Sequence, residues 1–196
     1  MSARVIALRP LETRAAELSD EALLAACVVE DSAALTVLYQ RHNVAVHRFA
    51  SRLLGPRRAD ADDLVQQVFL TAWKDAAKYR GQSAVRAWLF GITANLARRS
   101  ARDERRRISA FERLSTWITR TAAPHDDHIA RQQLVDRVGR VLNELPHDLR
   151  VAYVMCELEE VSGVEAARAL GVRPGTMWRR VHEARKRLRD EIERAP

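Results

Sequence analysis

Two apolar stripes at helical spacing, separated by a short polar break, limit what residues 60–107 can fold into. The first stripe repeats at i, i+1, i+4, i+5, i+8 and i+9, and it comprises Leu64, Val65, Val68, Phe69, Ala72 and Trp73. The second stripe comprises Val85, Trp88, Leu89, Ile92 and Leu96. Both patterns predict amphipathic helices that bury one face, and the break at residues 79–83 predicts a loop between them.

The second of these helices ends in a strongly basic segment. Asp103 and Glu104 are outnumbered there by arginines at positions 98, 99, 102, 105, 106 and 107. Because aromatic rings stack on unpaired bases and arginines hold phosphates, this order of residues suits opened or single-stranded nucleic acid. From the residues alone, two core helices with a solvated arginine tail explain the pattern equally well.

The order of residues in this segment carries a family resemblance. DADDLVQQVFLTAW at 60–73, followed by YRGQSAVRAWLFGITANLARR at 79–99, resembles region two of the extracytoplasmic-function sigma factors. These are small promoter-recognition subunits of bacterial RNA polymerase and belong to the sigma-70 family. We place this helical domain at residues 19–107, after a leader at residues 1–18.

The last third of the chain carries a second local pattern, VSGVEAARALGVRPGTMWRRVHEARKRLR at residues 161–189. Val164, Ala167 and Leu170 predict a short helix, Gly171 its left-handed cap, and Pro174 the start of a longer basic helix. Together they predict a helix-turn-helix, whose second helix lies in the DNA major groove. A helical hairpin with a solvated basic face is the alternative.

This second pattern resembles region four of the same family, which reads the minus-35 promoter element. We place that domain at residues 131–196, with a linker at 108–130 that includes one short helix at 111–118. The predicted fold class is therefore all-α, with two small helical domains (region two and the region-four helix-turn-helix) joined by a flexible linker.

The resemblance implies a docking surface for core RNA polymerase. The helix from Asp62 to Lys74 corresponds to the one that docks on the beta-prime clamp, while region four is expected to meet the beta flap. The candidate contacts are Asp62, Asp63, Gln66, Gln67 and Phe69. Many relatives carry Glu where this chain has Gln67, a difference that removes a charge from this surface.

The loop from Tyr79 to Ala84 corresponds to the family segment that captures a base flipped from the non-template strand of the minus-10 element. Its ring and polar side chains suit stacking on that base and hydrogen bonding to its edge. The candidate minus-10 residues are Tyr79, Gln82, Ser83, Trp88, Phe90, Asn95, Arg98, Arg99 and Arg102. Trp88 also lies on the apolar stripe, so packing in the core is at least as consistent with its position.

Relatives often have a basic residue where this chain has Gly91. That difference either weakens a phosphate contact or leaves it to Arg86 and Arg98.

For the minus-35 element the candidate residues are Arg173, Thr176, Trp178, Arg179, Arg180, Arg185 and Lys186. Arg173 stands at the predicted N-cap of the second helix, where Ser, Thr, Asp or Asn would satisfy the free amides. We interpret this as a hypothesis that Arg173 is needed for DNA. Trp178 stands where relatives commonly have a polar residue, and the sequence leaves open whether it packs on DNA or on its own domain.

Charge and composition narrow the function classes. The formal net charge is +7 and the calculated pI about 10.2, which favours contact with a polyanion. No apolar run approaches the roughly 20 residues of a membrane span, and the N-terminus lacks the pattern of a signal peptide. We therefore expect a cytoplasmic protein, in which Cys27 and Cys156 are buried thiols rather than a disulfide.

Two other functions are alternatives to the one that the resemblance implies. A stand-alone helix-turn-helix regulator would need no strand-opening loop, so the loop at residues 79–84 argues against it. A metal-dependent nuclease could use Asp60, Asp62 and Asp63, but carboxylates are favoured at a helix start by the helix dipole alone. His125 and His128 have a spacing that suits metal binding, yet no cysteine partner lies nearby.

The sequence thus predicts a transcription initiation factor that is not an enzyme and needs no cofactor, metal or small-molecule substrate. Its expected partners are core RNA polymerase, promoter DNA and, by resemblance, an anti-sigma factor.

Overall fold

A computed structural model describes residue 15 and residues 17–112 and 138–194 of the 196-residue chain. Every regular element in those ranges is helical, which confirms the all-α prediction. The predicted leader, most of the predicted linker, the helix expected at residues 111–118 beyond Glu112, and both His125 and His128 lie outside the described residues. The domain and linker bounds stay predictions.

The N-terminal half, residues 17–112, contains four α-helices. They are α1 (Asp20–Val28), α2 (Ser32–Leu54), α3 (Ala61–Asp75) and α4 (Val85–Glu112). Short 3-10 segments at Gly55–Asp60 and Ala76–Lys78 lead into and out of α3. Helix α4 continues beyond Arg107, where the predicted linker begins.

Local side-chain chemistry sets the helix ends in this half. The Ser19 hydroxyl accepts a hydrogen bond from the Ala22 amide at 3.2 Å, and the Asp31 carboxylate accepts one from the Ala33 amide at 3.0 Å. These caps satisfy amides that a helix start leaves free. Helix α2 ends just before Gly55, whose φ of +59° favours glycine.

The C-terminal half, residues 138–194, is also helical throughout its regular structure. Residues 138–144 belong to α5, and the later helices are α6 (His147–Tyr153), α7 (Gly163–Ala169) and α8 (Pro174–Glu193). The turn after α6, Val154–Leu158, is wound as a π-helix. Gly171, with φ +64°, separates α7 from α8, so the predicted helix, glycine turn and second helix are all present.

One hydrophobic core runs through both halves. Phe49 and Phe90 of the N-terminal half belong to the same buried cluster as Met155 and Met177 of the C-terminal half. A smaller cluster lies between α5 and α8, and it comprises Val141, Leu142, Leu145, Ala184 and Leu188. The two halves therefore pack directly against each other, and they place the Tyr79 loop beside the helix-turn-helix.

The two cysteines are free thiols in this fold. Cys27 is buried and Cys156 is partly buried. Burial raises the pKa of each thiol to about 11, so both stay protonated and poorly reactive near neutral pH.

Candidate nucleic-acid interface

One face of α3 is open to solvent and polar. The Asp62 side chain is 89% exposed, and Asp63, Gln66 and Gln67 are exposed beside it. Leu70, 56% exposed, adds an apolar patch that the sequence analysis did not single out. Four of the five predicted polymerase contacts therefore share an accessible surface.

The structure corrects the prediction for Phe69, the fifth residue of that set. Its side chain is 4% exposed, and its ring packs edge-on against Tyr39 with a centroid distance of 4.9 Å. The phenylalanine lies on the inner face of α3, where its burial stabilises the α2–α3 contact. It supports the exposed face of α3 from behind and does not form part of it.

The loop between α3 and α4 is held by its own tyrosine. The Tyr79 hydroxyl donates a hydrogen bond to the Ser83 carbonyl at 2.6 Å, and its ring meets Trp88 edge-on at 5.5 Å. Burial raises the pKa of the Tyr79 phenol, with smaller contributions from the carboxylates of Glu21 and Asp20, so the hydroxyl remains a donor at neutral pH. Two aromatic rings are thus fixed at one end of the loop.

These residues line a cleft of about 340 Å³. From the N-terminal half its lining residues are Lys78, Tyr79, Arg80, Gln82, Ser83, Trp88 and Asn95. From the C-terminal half they are Arg168, Ala169, Leu170 and Gly171. The structure therefore brings five of the predicted minus-10 residues together, and Trp88 both packs on the core and faces the cleft.

Phe90 does not reach this cleft, which corrects its prediction as a DNA contact. Its side chain is 0% exposed and stacks on Phe49, with the ring centroids 4.5 Å apart and the planes at 24°. Beyond it along α4, the Arg98 guanidinium donates to the Asn95 side chain at 3.0 Å. Arg99 and Arg102 are exposed, in line with a phosphate-facing role.

Helix α8 exposes a basic N-terminal end. Arg173 is exposed at the N-cap and its side chain makes no capping hydrogen bond, as predicted from the sequence. Arg179 and Lys186 are exposed and Thr176 is partly exposed. Pro174 lacks an amide hydrogen, so its position at the helix start leaves one fewer donor unsatisfied.

Two of the predicted minus-35 residues make ion pairs within their own half. Arg180 donates to Asp148 at 2.7 Å, with 23% of the arginine side chain exposed. Arg185 donates to Glu157 at 2.7 Å, and this contact raises the pKa of the arginine. Both pairs tie α8 to α6 and the π-helical turn, so these arginines orient the helix in this structure.

Trp178 packs partly on its own domain, one of the two alternatives that the sequence left open. A methyl group added at Gly163 would lie 2.9 Å from its ring, so the indole rests on the start of α7. The residue is nevertheless 55% exposed. The absent side chain at Gly163 therefore seats one part of the indole, while the remainder lies open on the surface of the helix-turn-helix.

The close packing around position 91 explains why a glycine stands there. It is buried, and a side-chain carbon built there would overlap the backbone carbonyl oxygen of Ala169 at the end of α7. A basic side chain like that of many relatives would not fit in this packing arrangement. The difference at Gly91 thus reflects a close approach of the two halves.

A group that the sequence analysis missed lies at that approach. Glu159 has a side chain that is 0% exposed, and it accepts hydrogen bonds from Arg48, Arg52 and Arg86 of the N-terminal half. Burial alone would raise the pKa of Glu159, but the hydrogen bonds from Arg48 and Arg86 outweigh it and lower the pKa. Glu159 lies 73 or more residues from each of these arginines in the sequence, so their spacing carries no signal that would pair them with it.

Two searches of the described residues bear on other functions. Among them, no three His, Cys, Asp or Glu side chains are grouped so as to hold a metal ion. No helix in the same ranges has the length and apolar character needed to cross a membrane.

Comparison with known proteins gives matches along both halves. The family models "Sigma-70 region 2" and "Sigma-70, region 4" match residues 38–107 and 136–188. The ECF RNA polymerase sigma factor SigM of Mycobacterium tuberculosis is 36% identical over 172 residues, which cover 88% of this chain and 84% of the relative. The ECF RNA polymerase sigma-E factor of Escherichia coli K12 is 26% identical over 185 residues, which cover 90% of this chain and 96% of the relative.

Two solved structures share the arrangement of the chain. CnrH, in complex with the cytosolic domain of CnrY, is similar with a TM-score of 0.65 and 26% identity, covering 90% of this chain and 99% of CnrH. The sigma factor RpoE of Bartonella quintana, in complex with the anti-sigma factor NepR, is similar with a TM-score of 0.59 and 26% identity, covering 78% and 92%.

Proposed function

Since the chain belongs to the extracytoplasmic-function sigma factors of the sigma-70 family, we propose that it divides the work of promoter recognition between three surfaces. The exposed face of α3 takes core RNA polymerase, the cleft at Tyr79 takes the minus-10 element, and α8 takes the minus-35 element. The observation that carries this proposal is the order of both sigma regions in one chain. That chain is 36% identical to a known sigma factor, and the alignment covers 84% of the length of that relative.

The polymerase contact is assigned to Asp62, Asp63, Gln66 and Gln67, with Leu70 as an apolar centre. The four polar residues are exposed on one side of α3, and Leu70 is exposed in the same helix. An apolar side chain ringed by polar groups is the usual composition of a protein-binding patch. Asp62 and Asp63 place two carboxylates at the start of this helix, on the surface assigned to the beta-prime clamp.

The minus-10 contact is assigned to the cleft, where a flipped base would meet Tyr79 and Trp88. Gln82 and Ser83 stand at its rim and offer hydrogen-bonding groups to the edge of the base. Stacking on an aromatic ring contributes about 1–3 kcal/mol per base, which offsets part of the cost of taking a base out of the duplex. The exposed arginines of α4, Arg99 and Arg102, would then follow the phosphates upstream.

The minus-35 contact is assigned to the first turns of α8. Arg173, Thr176 and Arg179 carry the exposed or partly exposed groups at that end, and Trp178 lies between them. An arginine that contacts guanine through two hydrogen bonds supplies about 1–3 kcal/mol of base discrimination. Lys186 lies further along the helix and is assigned to phosphate, while Arg180 and Arg185 position α8 through their ion pairs.

An anti-sigma factor is the third proposed partner. Two of the similar solved structures hold a bound protein, CnrY in one and the anti-sigma factor NepR in the other. We place the activity in the cytoplasm, where polymerase and promoters are, and treat the chain as a binding factor without a catalytic step of its own.

The test of this assignment is a three-component binding experiment. A promoter fragment is mixed with the chain, with core polymerase, or with both, and complexes are separated by native gel electrophoresis. The proposal predicts a heparin-resistant complex only when both proteins are present, and its loss in the variant Asp62→Ala/Gln66→Ala. A stable duplex complex formed by the chain alone would instead support a stand-alone regulator.

A further inference from the structure

The backbone around Glu159 is specialised in a way that the three binding surfaces do not explain. The preceding turn, Val154–Leu158, is π-helical, and the Glu159 amide donates to the Val154 carbonyl at 2.9 Å. Glu160 has φ +56°, a left-handed conformation that is uncommon for a residue with a side chain. Single π-turns occur frequently at functional sites. Here the unusual backbone carries the carboxylate of Glu159 to the boundary between the halves.

The carboxylate is saturated by charged donors from the N-terminal half. Arg48 donates to Glu159 through Nε at 2.8 Å and through Nη2 at 2.6 Å. Arg52 donates at 2.5 Å and Arg86 at 2.7 Å, and Arg86 also reaches the Glu159 carbonyl at 3.3 Å. Hydrogen bonds between ionised partners are about twice as strong as neutral ones. Three guanidinium groups on α2 and α4 thus form an anion site, and its occupant comes from the same chain.

Other contacts close the same boundary. Arg150 donates to the Leu53 carbonyl at 2.8 Å, and His147 lies with Nε2 3.1 Å from the Ala94 carbonyl. Gly91 admits the Ala169 carbonyl where any side chain would overlap it. The close packing at Gly91 depends on the two halves being together, and so does the burial of Glu159.

Closure brings the two proposed DNA-reading elements side by side. Arg168 of α7 donates to the Gln82 carbonyl at 3.1 Å, and the Glu165 carboxylate accepts from the Ala84 amide at 3.4 Å. The residues just before α8 therefore touch the base-capture loop. Promoter elements centred at minus-35 and minus-10 lie about 85 Å apart along straight B-DNA, at 3.4 Å per base pair. A chain in this arrangement is unable to engage both elements.

We propose that Arg48, Arg52 and Arg86 form an intramolecular receptor for Glu159, and that this ion cluster latches the free chain in a closed form. In the closed form the flank of the minus-10 loop is occupied by α7. Opening of the latch separates the halves and frees the loop. The latch is a property of the free chain, whereas its consequence for DNA binding rests on the proposed function.

The physical reason for a latch lies in the burial of the charge. A buried carboxylate is costly unless it is paired, and removing one partner of a buried pair leaves the other uncompensated. Replacing Glu159 by Gln keeps the shape but leaves three guanidinium groups converging on a neutral amide. Their mutual repulsion then favours separation of the halves.

The latch is tested on the full chain by small-angle X-ray scattering and by fluorescence anisotropy with a single-stranded oligonucleotide carrying a minus-10 sequence. Glu159→Gln breaks the cluster, and Glu160→Gln removes the neighbouring exposed carboxylate as the matched control. Gly91→Ala is a second, independent variant. Alanine favours the helical conformation of α4, so this change opposes closure through its overlap with Ala169 without weakening the helix.

The expected result is a larger radius of gyration for Glu159→Gln and Gly91→Ala, with the oligonucleotide bound about tenfold more tightly, because the competent form is no longer a minor species. The wild-type chain and Glu160→Gln stay compact. Unchanged radius and affinity in both opened variants overturn the proposal. If Gly91→Ala opens the chain and Glu159→Gln does not, the role of Glu159 is overturned and packing remains as the cause of closure.

Folding is checked by circular dichroism. If Glu159→Gln loses helix, the double variant Arg48→Gln/Arg52→Gln on the partly exposed face of α2 decides the question by the same two readouts. Transcription assays with core polymerase run alongside. If the chain supports transcription but none of the variants opens, the latch is contradicted and the proposed function is not. If the chain supports no transcription, the proposed function is contradicted, and the scattering result still decides the latch.

Discussion

Tyr79 fixes the loop at residues 79–84 with its hydroxyl and offers its ring to the cleft. The hydroxyl bonds the Ser83 carbonyl within the loop, while the ring meets Trp88 at the cleft wall. These are separable roles, because phenylalanine keeps the ring and loses the hydrogen bond. The residue thus allows the stacking role to be distinguished from the loop-holding role by two substitutions at one position.

We predict that Tyr79→Ala weakens binding of a single-stranded minus-10 oligonucleotide by about 10-fold or more, since a stacking platform contributes about 1–3 kcal/mol. Tyr79→Phe should lose only the contribution of one hydrogen bond, about 1 kcal/mol or less. Both are measured by anisotropy in the opened Gly91→Ala background. Equal binding by Tyr79→Ala and by the Gly91→Ala background chain would show that the Tyr79 ring does not contribute to binding.

Arg179 and Arg180 are adjacent in sequence but differ in their surroundings. Arg179 is exposed, whereas Arg180 is mostly buried against Asp148 at 2.7 Å. In the complex with core polymerase, Arg179→Ala should therefore lower affinity for a minus-35 duplex, and it should leave the melting temperature of the free chain unchanged. Arg180→Ala should lower the stability of the chain by about 1 kcal/mol, the order expected for a partly exposed pair. Calorimetry and duplex binding measure the two effects, and identical profiles for the two variants would contradict this division.

At the scale of the elements, the sequence was informative about helix ends because local chemistry determines them. Ser19 and Asp31 cap α1 and α2 through their own side chains, and Gly171 with Pro174 separates α7 from α8 as predicted. These features depend on a few neighbouring residues. They can be predicted from the sequence without knowing what packs against each helix.

The faces of α4 were harder to predict for a physical reason. Its apolar stripe indicated one buried side through Val85 and Leu89, yet Phe90 and Ala94 are buried as well. Phe90 is buried against Phe49 of α2, whereas the C-terminal half approaches α4 at Gly91 through Ala169 and at Ala94 through His147. A periodicity within one helix does not reveal partners from other parts of the chain, and the ion cluster at Glu159 was missed for the same reason.

At the scale of the whole molecule, the closed arrangement should respond to pH through His147. Burial lowers the pKa of this imidazole from its usual 6.5, and the nearby charges of Arg150 and Arg98 lower it further. The hydrogen bond to Ala94 and the carboxylate of Asp148 raise the pKa by less than these groups lower it. The open form then binds a proton more readily than the closed form. Closure is therefore fully stable above about pH 6.5 and weakens as the pH falls below it.

We predict that the radius of gyration of the wild-type chain increases between pH 7.5 and pH 5.5, on the acid side of the usual histidine pKa. In His147→Gln the amide can still donate to the Ala94 carbonyl but does not titrate, so this expansion should be reduced. Scattering at matched ionic strength measures both chains. An equal expansion in the variant would show that other groups govern the acid response.

The most direct measurement of the central claim is run-off transcription with purified core polymerase on supercoiled promoter templates. The wild-type chain is compared with Tyr79→Ala, Arg179→Ala and the control Glu160→Gln. We predict specific transcripts that depend on the added chain, loss of strand opening with Tyr79→Ala, loss of promoter selection with Arg179→Ala, and no change in the control. A chain that binds duplex DNA but never associates with core polymerase or starts a transcript would contradict the central claim.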